Sequence, residues 1–421
     1  MAESGRELDV VVVGCGAIGL PLAVAFASVG RRVTGIDTDP ARVAALGQGR
    51  TGLMDEGLEP AFQEARASGR LSFGGGLAPA SAMRAYVLTA PTPADGGHGW
   101  RRGPLDGAMT AALAVARPGE PICIRSTVPI GVTRAFAQRG TSLLAYCPDR
   151  TVAGRVFLGQ FDTPHLVGAV TPRAGAMARD LFAQLGPVVE VGDPETAEAI
   201  KLLANIKRDL DFAFANQLAL ICEAAGIDAA SVREAGARAY PRFSVARPGP
   251  AGGPCLTKDV RLLASSPALK DVDLTLLLAG RRLNEGLAED IARRIDGVLE
   301  ARGPGPGAVA VLGLAFKGAP PTLDRRGGFA ADLTAALLRH RPDLDLRTWD
   351  PAADPGPAAR DAAVRGANVV VLANDHPALA AAGDLADLMA PDGEIFDLCG
   401  IASPLAGGRT LHRFGAGGPV R

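Results

Sequence analysis

The stretch VVVGCGAIGLPLAVAFASVG, near the start of the chain, constrains the fold more than any other segment. A run of β-branched residues ends at Gly14, and Gly16 and Gly19 complete the spacing G-x-G-x-x-G before an apolar helical pattern. The first glycine permits a tight turn, the second lets the backbone approach a pyrophosphate, and the third lets helix pack on strand. Unsatisfied N–H groups at the helix N-terminus then face the phosphates. The segment predicts the first βαβ unit of a dinucleotide-binding sheet.

The preferred dinucleotide follows from the next strand, which is predicted from Arg32 to Ile36 and ends in Asp37. An acid there accepts hydrogen bonds from both ribose hydroxyls and repels a 2′-phosphate, so we expect NAD rather than NADP. Arg42 weakens this preference, because a nearby guanidinium could bind a phosphate. The NAD-binding residues predicted in this region are Gly14, Gly16, Ala17, Ile18, Gly19, Asp37 and Arg42.

Length and composition exclude several classes of protein. A chain of 421 residues is too long for one ordinary core and indicates two or three domains. A net charge of −1 and an aromatic content of 5% indicate neither a nucleic-acid surface nor base-stacking platforms. No apolar run reaches the roughly 18 to 20 residues that span a bilayer. The polar start MAESGRELDV is unlike a signal peptide, so we expect a cytoplasmic protein without membrane partners.

A second strand–glycine unit occurs in PGAVAVLGLAFKG, where a strand is predicted from Val309 to Leu312. Between the two units, a long helix is predicted from Thr196 to about Ala225, because apolar residues recur there at helical spacing. We therefore predict an α/β fold in which two Rossmann-like, doubly wound domains are joined by a central helical domain. The predicted domains are 1–190, 191–300 and 305–421, and the apolar helical face comprises Ile200, Leu203, Leu210, Phe214 and Ile221.

The six cysteines are scattered, without a CxxC pair or metal-like spacing to histidine, so no metal site is predicted. Cys255 stands out because RPGPAGGPCLTKDV is a glycine-rich loop, and Pro254 fits the first position of a helix. Cys255 would then lie in the first turn, where the helix dipole and Lys258 favour the thiolate. Asp259, one turn later, could activate water. The alternative is a buried structural cysteine beside a surface Lys–Asp pair.

Two polar residues of the predicted central helix, Lys201 and Asn205, are four apart and share a helical face. Such a pair is ordinarily a solvated surface. The pair becomes a candidate for a functional site only in combination with the other segments.

Together these segments resemble the UDP-glucose/GDP-mannose dehydrogenase family of nucleotide-sugar 6-dehydrogenases. The resemblance covers nearly the whole chain, from the first glycine segment to the DH pair at 375–376. The motifs, in family order, are APTP (90–93), STVPIG (126–131), YCPDR (146–150), ETAEAIKLLANIKRDLDFAFAN (195–216), PGPAGGPCLTKD (248–259), GLAFK (313–317) and WDP (349–351).

The resemblance implies a four-electron oxidation of a sugar C6 hydroxyl by two NAD molecules in succession. Cys255 would capture the aldehyde as a thiohemiacetal, a second hydride would leave, and the resulting thioester would be hydrolysed. Lys201 would stabilise the oxyanion with support from Asn205, and Asp259 would help to activate water.

Further residues match family positions with other roles. Thr127 and Asp149 match positions that order catalytic water. Lys317 and Arg242 match residues that hold the nucleotide sugar, with Arg242 reaching in from a partner subunit. The long central helix matches the family's dimerisation element, so a homodimer is expected. The resemblance adds Pro91, Thr92 and Thr127 to the NAD-binding set and Gly252 to the substrate-binding set.

Several positions depart from the family pattern. Asp149 replaces a glutamate, and Arg125 stands where the family often carries an acid. Pro254 stands where one branch often has histidine, and TLDRRGG replaces the usual D-x-R-x-S after GLAFK. YCPDR, KLLANIKR, AYPRF and PGPAGG resemble the UDP-N-acetylglucosamine and UDP-N-acetylmannosamine dehydrogenases, whereas KD at 258–259 resembles UDP-glucose dehydrogenase. A UDP-sugar is favoured, and the choice between glucose and an N-acetylhexosamine stays open.

Two other functions remain to be considered. A two-electron alcohol dehydrogenase of the 3-hydroxyacid type shares the first domain and the helical middle, but it needs neither GPCLTKD nor GLAFK. A non-catalytic nucleotide-sugar-binding homologue would fit the departures, although retention of Cys255, Lys201, Asn205 and Asp259 argues against it.

Overall fold

The computed structural model of the chain describes residues 8–95, 99–141, 143–380, 384–402 and 409–418. Most of the polar start that bears on the signal-peptide prediction therefore lies outside the described residues. The chain divides into two units by its internal contacts. The first unit consists of Met1–Ala204 and Arg261–Asp273, and the second of Asn205–Val260 and Leu274–Arg421.

The first unit is built on an eight-stranded sheet with the order β3-β2-β1-β4-β5-β6-β7-β8. Its neighbouring strands are parallel except for the antiparallel pair β6 and β7. The strands are β1 (Asp9–Val13), β2 (Val33–Ile36), β3 (Leu71–Gly74), β4 (Arg84–Leu88), β5 (Ile122–Ile124), β6 (Leu144–Tyr146), β7 (His165–Ala169) and β8 (Val188–Glu190).

Helices cover this sheet, as a parallel sheet requires. Leu20, Leu22 and Phe26 of the first helix are completely buried, because nearly every position of that helix is apolar. The helices are α1 (Gly19–Ser28), α2 (Pro40–Gly47), α3 (Leu58–Ala67), α4 (Gly103–Val115), α5 (Val132–Ala137), α6 (Val156–Asp162) and α7 (Pro172–Phe182). The long helix α8 (Pro194–Ala225) follows and continues into the second unit.

The second unit contains a five-stranded, all-parallel sheet with the order β10-β9-β11-β12-β13. Every residue of β9 and β11 is buried, as expected for strands covered on both faces. The strands are β9 (Ala308–Leu312), β10 (Asp345–Trp349), β11 (Val369–Leu372), β12 (Glu394–Asp397) and β13 (Leu411–Arg413). The remaining helices are α9 (Ala229–Ala237), α10 (Leu256–Ala264), α11 (Thr275–Ala301), α12 (Phe329–His340), α13 (Pro357–Val364), α14 (Pro377–Ala380) and α15 (Leu385–Leu388). Short 3-10 turns occupy Pro241–Phe243 and Pro267–Leu269.

The predicted α/β class, with two sheets of Rossmann type, is confirmed. The predicted strands β1 and β9 each begin one residue earlier than expected, and α8 begins at Pro194 rather than Thr196. The division into three domains stays a prediction. Within the described residues, no single helix is long and apolar enough to cross a bilayer, although the bent pair α8 and α9 together passes that test on length and composition.

The apolar face predicted for α8 is largely exposed in this structure. Phe214 and Ile221 are 59% and 58% exposed. Leu202 and Ile206 are buried, and the other buried positions of the helix are small or polar, including Ala213, Ala219 and Asn216. Because small side chains allow close helix contact, α11 packs on α8 here: a Cβ on Gly280 would lie 3.4 Å from the Ala213 side chain and 2.4 Å from Leu210 of the predicted apolar face.

Candidate functional site

The glycine turn after β1 lies at the carboxyl edge of the first unit's sheet. Gly14 has a φ of 103°, which favours glycine, and a Cβ there would lie 3.0 Å from the Thr89 carbonyl oxygen. A Cβ on Gly19 would lie 1.8 Å from the Gly14 carbonyl oxygen. Gly16 has no atom within 4 Å of such a position, so its backbone stays open to a ligand. These spaces fit the three roles that the sequence assigns to the glycines.

Helix α1 presents its start beside this turn. Leu20 N–H donates to the Gly16 carbonyl oxygen at 3.1 Å, in the turn that leads into the helix. The N–H groups of Ala17 and Ile18 therefore stand in the orphan positions of a helix N-terminus, which suit a pyrophosphate. Ala17 is exposed and Ile18 half-buried.

Asp37 follows β2 directly and is half-buried. Its Oδ2 accepts a hydrogen bond from the Cys15 N–H at 2.8 Å, and its Oδ1 accepts one from the Asp39 N–H at 3.0 Å. The carboxylate thus lies beside the glycine turn. Arg42 donates from Nε to the Cys15 carbonyl at 2.9 Å and from Nη1 to the Thr51 carbonyl at 2.5 Å. Two nitrogens of the guanidinium therefore donate to backbone carbonyls, and fewer N–H groups remain to bind a 2′-phosphate.

Gly19→Ala is expected to weaken NAD binding about tenfold to a hundredfold, because overpacking costs about 1 to 3 kcal/mol and the displaced atom belongs to the glycine turn. A titration of the protein with NAD measures this loss. Gly47→Ala, in α2 of the same unit, is the matched control, because its Cβ would meet no atom within 4 Å. Equal NAD affinity in the two variants would contradict the packing role of Gly19.

Three further predicted residues follow β4 and β5, whose carboxyl ends share the edge with β1 because β1, β4 and β5 are parallel neighbours. Pro91 is exposed, Thr92 is buried and Thr127 is half-buried. Ser126 Oγ donates to the Ala90 carbonyl at 2.7 Å and ties the two loops together.

Asp149 follows β6 and forms a buried ion pair with Arg125, with Nη2 and Oδ1 2.9 Å apart. The carboxylate also accepts hydrogen bonds from Thr151 Oγ1 at 2.8 Å and Gln160 Nε2 at 3.3 Å. Burial alone would raise the pKa of Asp149, but the charges of Arg125 and Lys201 hold it below its ordinary value. The two departures from the family pattern, Arg125 and Asp149, are therefore partners of each other.

Lys201 and Glu198 connect α8 to two loops of the first unit. Lys201 Nζ donates to the Asp149 carbonyl oxygen at 2.6 Å. Glu198, one turn earlier, is fully buried and accepts hydrogen bonds from the N–H groups of Gly131 at 2.6 Å and Thr133 at 2.8 Å. Burial raises the pKa of Glu198 to about 7, although these hydrogen bonds lower it. Glu198 was not predicted from the sequence, although its spacing of three from Lys201 on a predicted helix was an available signal.

In the second unit, Cys255 is exposed and stands directly before α10. Its carbonyl oxygen accepts the Asp259 N–H at 3.0 Å, so Cys255 occupies the N-cap position. The helix thus begins at Leu256, and the prediction that Pro254 starts it is wrong, because Pro254 still belongs to the glycine turn. Burial raises the pKa of other cysteines, as for Cys15, which reaches about 12.

Asp259 lies one turn after Cys255 and is 1% exposed. Asn205 Nδ2 donates to its Oδ2 at 2.6 Å, and Lys258 Nζ lies 2.8 Å from its Oδ1. Asn205, Asp259 and Cys255 therefore all lie in the second unit. Lys258 is paired with Asp259, so its charge is partly compensated there. A buried cysteine beside a surface Lys–Asp pair, the alternative considered above, is excluded.

The predicted substrate-binding residues also lie in the second unit. Lys317 follows β9, with its Nζ 5.8 Å from the centre of the Phe316 ring. Gly252 admits no side chain, because a Cβ would lie 2.4 Å from the Gly327 carbonyl oxygen. Arg242 is exposed in the 3-10 turn. Among the described residues, no group of three or more His, Cys, Asp and Glu side chains could hold a metal ion.

Comparison with known proteins gives consistent matches. The NAD-binding domain of the UDP-glucose/GDP-mannose dehydrogenase family matches residues 8–186, and its central domain matches 195–286. A UDP-N-acetyl-D-glucosamine 6-dehydrogenase of Pseudomonas aeruginosa is 30% identical over 368 residues, covering 82% of this chain and 83% of the relative. A UDP-N-acetyl-D-mannosamine dehydrogenase of Pyrococcus horikoshii is 28% identical over 384 residues, or 88% of this chain and 90% of the relative. The solved structure of a UDP-D-ManNAc dehydrogenase from Pyrococcus horikoshii has a TM-score of 0.85 at 26% identity and covers 97% of this chain and 100% of its own.

Proposed function

Because the chain belongs to the UDP-glucose/GDP-mannose dehydrogenase family and contains its NAD-binding domain, we propose that it oxidises the C6 hydroxyl of a UDP-N-acetylhexosamine to a carboxylate. The observation that carries this proposal is the exposed Cys255 thiol at the N-cap of α10, with the buried Asp259 one turn later. An accessible thiol in that position is suited to covalent capture of an aldehyde.

The N-acetylhexosamine is proposed from the names of the relatives. Both enzymes compared above are named for UDP-N-acetyl sugars, and each aligns with more than four fifths of this chain. The segments YCPDR, KLLANIKR, AYPRF and PGPAGG point to the same branch. The KD pair at 258–259 is the feature that resembles UDP-glucose dehydrogenase, so UDP-glucose is the second candidate substrate.

The proposed chemistry proceeds in two oxidations. NAD, when bound, accepts one hydride from C6 in each of them, and in the first the proton of the C6 hydroxyl is released to solvent. After the first, the Cys255 thiolate adds to the aldehyde carbon, and the carbonyl oxygen becomes the oxyanion of a thiohemiacetal. Loss of the second hydride leaves a thioester on Cys255. Water then attacks the acyl carbon, the carbon–sulfur bond breaks, and the carboxylate leaves while the thiolate is regenerated.

The remaining residues are proposed to support these steps. Lys201 is proposed to supply the positive charge that stabilises the oxyanion, a contribution of several kcal/mol in a dry site. Asn205 orients the Asp259 carboxylate, which helps to activate water for the thioester. Thr127 and Asp149 are proposed to order that water. Because the Asp149 carboxylate is already paired with Arg125, we propose that it acts through its hydrogen-bonded neighbours rather than by direct contact.

Substrate is proposed to be held by Lys317, Gly252 and Arg242. Lys317 supplies a point charge for the diphosphate, and the bare Gly252 allows close approach of the ligand. Arg242 is exposed, as a residue that reaches a partner subunit must be.

The proposed function is tested by a screen of UDP-GlcNAc, UDP-ManNAc, UDP-glucose and GDP-mannose for NADH release. NADH release with a UDP-N-acetyl sugar is expected; the absence of release with all four would overturn the proposal.

We further propose a homodimer formed through α8 and α11. Phe214 and Ile221 on α8 and Leu276 on α11 are 59%, 58% and 73% exposed, and exposed apolar surface of this kind marks interaction sites.

Phe214→Glu combined with Ile221→Glu is expected to convert the dimer to a monomer, because two charges would have to be buried without partners. Sedimentation velocity at micromolar concentration measures the change. Leu338→Glu is the control, because Leu338 is also exposed, at 42%, but lies on α12. A dimer that survives in the double variant would place the interface elsewhere.

A further inference from the structure

The loop after β9, TLDRRGG at 322–328, packs directly on the segment that carries Cys255, within the second unit. Gly253 N–H donates to the Gly327 carbonyl oxygen at 2.7 Å. A Cβ on Gly327, whose φ is 59°, would lie 2.9 Å from Thr257 Oγ1. The two backbones are therefore in direct contact, with no side chain between them. The loop contacts the Cys255 turn at Gly253 and at Thr257, which precede and follow Cys255 in the sequence.

Arg326 directly precedes Gly327, so it belongs to the part of the loop that contacts the Cys255 turn. Asp324 orients the guanidinium, because Nε donates to Oδ1 at 2.9 Å and Nη2 donates to Oδ2 at 2.6 Å. These hydrogen bonds raise the pKa of Arg326 above its ordinary value, and the charge of the Cys255 thiolate adds to the rise. The Arg326 side chain is 68% exposed, so a ligand at the thiol could also reach it.

The cations of the segments next to the Cys255 turn have contacts of their own. Lys258 Nζ is 2.8 Å from Asp259 Oδ1, and the other oxygen of Asp259 accepts the Asn205 amide. Lys317 lies over the ring of Phe316. The cation that the sequence analysis placed beside Cys255, Lys258, is thus paired with an acid on its own helix.

We propose that Arg326 is a positioning residue for the Cys255 thiolate, which it stabilises from the loop after β9. The inference rests on the proposed function, in which that thiolate is the nucleophile. The TLDRRGG departure then has a physical consequence: it puts an arginine where its charge sets the pH range in which Cys255 reacts. Asp324 tunes this effect, because it compensates part of the guanidinium charge.

The test is the rate of Cys255 alkylation by iodoacetamide in the full-length protein, followed by peptide mass over roughly pH 6 to 10, since the thiolate is the reactive form. Neither NAD nor a nucleotide sugar is needed. The other five cysteines are buried, so Cys255 is expected to react first. Arg326→Met is expected to move the pH–rate profile to higher pH by about half to one unit, because an exposed opposite charge is partly screened. Alkylation at pH 7 would then slow about threefold to tenfold.

Three further variants test whether the shift of the pH–rate profile depends on the charge of Arg326. Arg326→Lys is expected to retain most of the wild-type profile, because it keeps the charge. Arg325→Met, at the neighbouring exposed arginine, is expected to leave the profile in place. Asp324→Asn is expected to move the profile to lower pH, since it removes the compensating acid while keeping an oxygen that can accept the Arg326 N–H.

Identical profiles for Arg326→Met and Arg325→Met would overturn the inference. If Arg326→Met unfolds, several cysteines are alkylated together, and the direction of the Asp324→Asn shift then decides: no shift, or one to higher pH, overturns it. Failure of the proposed function shows separately, as an absence of NADH release in the wild-type protein whatever the alkylation profile.

Discussion

Cys255→Ser is expected to abolish formation of the uronic acid while NAD still binds. Serine has nearly the volume of cysteine, but its hydroxyl is not ionised near neutral pH and captures an aldehyde poorly without a dedicated base. The predicted NAD-binding residues belong to the first unit and Cys255 to the second, so the substitution leaves the glycine turn untouched. Mass spectrometry of the sugar product and a titration with NAD measure the two effects.

The control for this experiment is Cys222→Ser, because Cys222 is a buried thiol of the same unit with no proposed role in the reaction. This variant is expected to keep forming acid. Unchanged acid production by Cys255→Ser would remove the covalent mechanism and leave the proposed dehydrogenase without its nucleophile.

Lys201→Ala is expected to lower kcat at least about a hundredfold, the typical cost of losing one oxyanion donor. The loss should appear in kcat more than in KM, because the charge on the oxygen develops only during the reaction. Lys201 also donates to the Asp149 carbonyl, so a thermal melt is needed to separate lost chemistry from lost stability.

Lys207→Ala is the matched control on the same helix. Lys207 is 76% exposed and pairs with Asp211 one turn later, a surface ion pair worth little. We expect near wild-type turnover for this variant. If Lys201→Ala also turned over at the wild-type rate, Lys201 would serve only to hold the loop after β6 against α8.

Local sequence patterns predicted the parts of the fold that depend on neighbours in the chain. The glycine spacing and the β-branched runs located β1 and β9 to within one residue, because turn geometry and strand propensity are local properties. Asp37 was placed at the end of β2 for the same reason. The start of α10 was missed by two residues, because Pro254 suits a turn as well as the first position of a helix.

Contacts between distant residues could not be predicted in this way. Arg125 and Asp149 are 24 residues apart, and they pair because β5 and β6 are parallel neighbours whose carboxyl ends coincide. In the sequence, the two residues stand out only as separate departures from the family pattern. The TLDRRGG loop lies far from Cys255 in sequence, and only the contact between Gly327 and Gly253 brings this loop to the Cys255 turn.

The exposed face of α8 illustrates a further limit. Helical spacing identified a row of large apolar residues that includes Phe214 and Ile221, but spacing alone does not say what covers them. In the described part of the chain, the opposite face packs through Ala213 and Ala219 instead. Small residues carry a weak hydrophobic signal, although they permit the closest helix contacts.

The central claim is a four-electron oxidation, and the stoichiometry of NADH release tests it most directly. NADH and the remaining UDP-N-acetyl sugar are measured together as the reaction goes to completion with excess NAD. The account predicts two NADH for each sugar consumed, with the uronic acid as the product. One NADH per sugar, with an aldehyde released, would contradict it and favour a two-electron alcohol dehydrogenase.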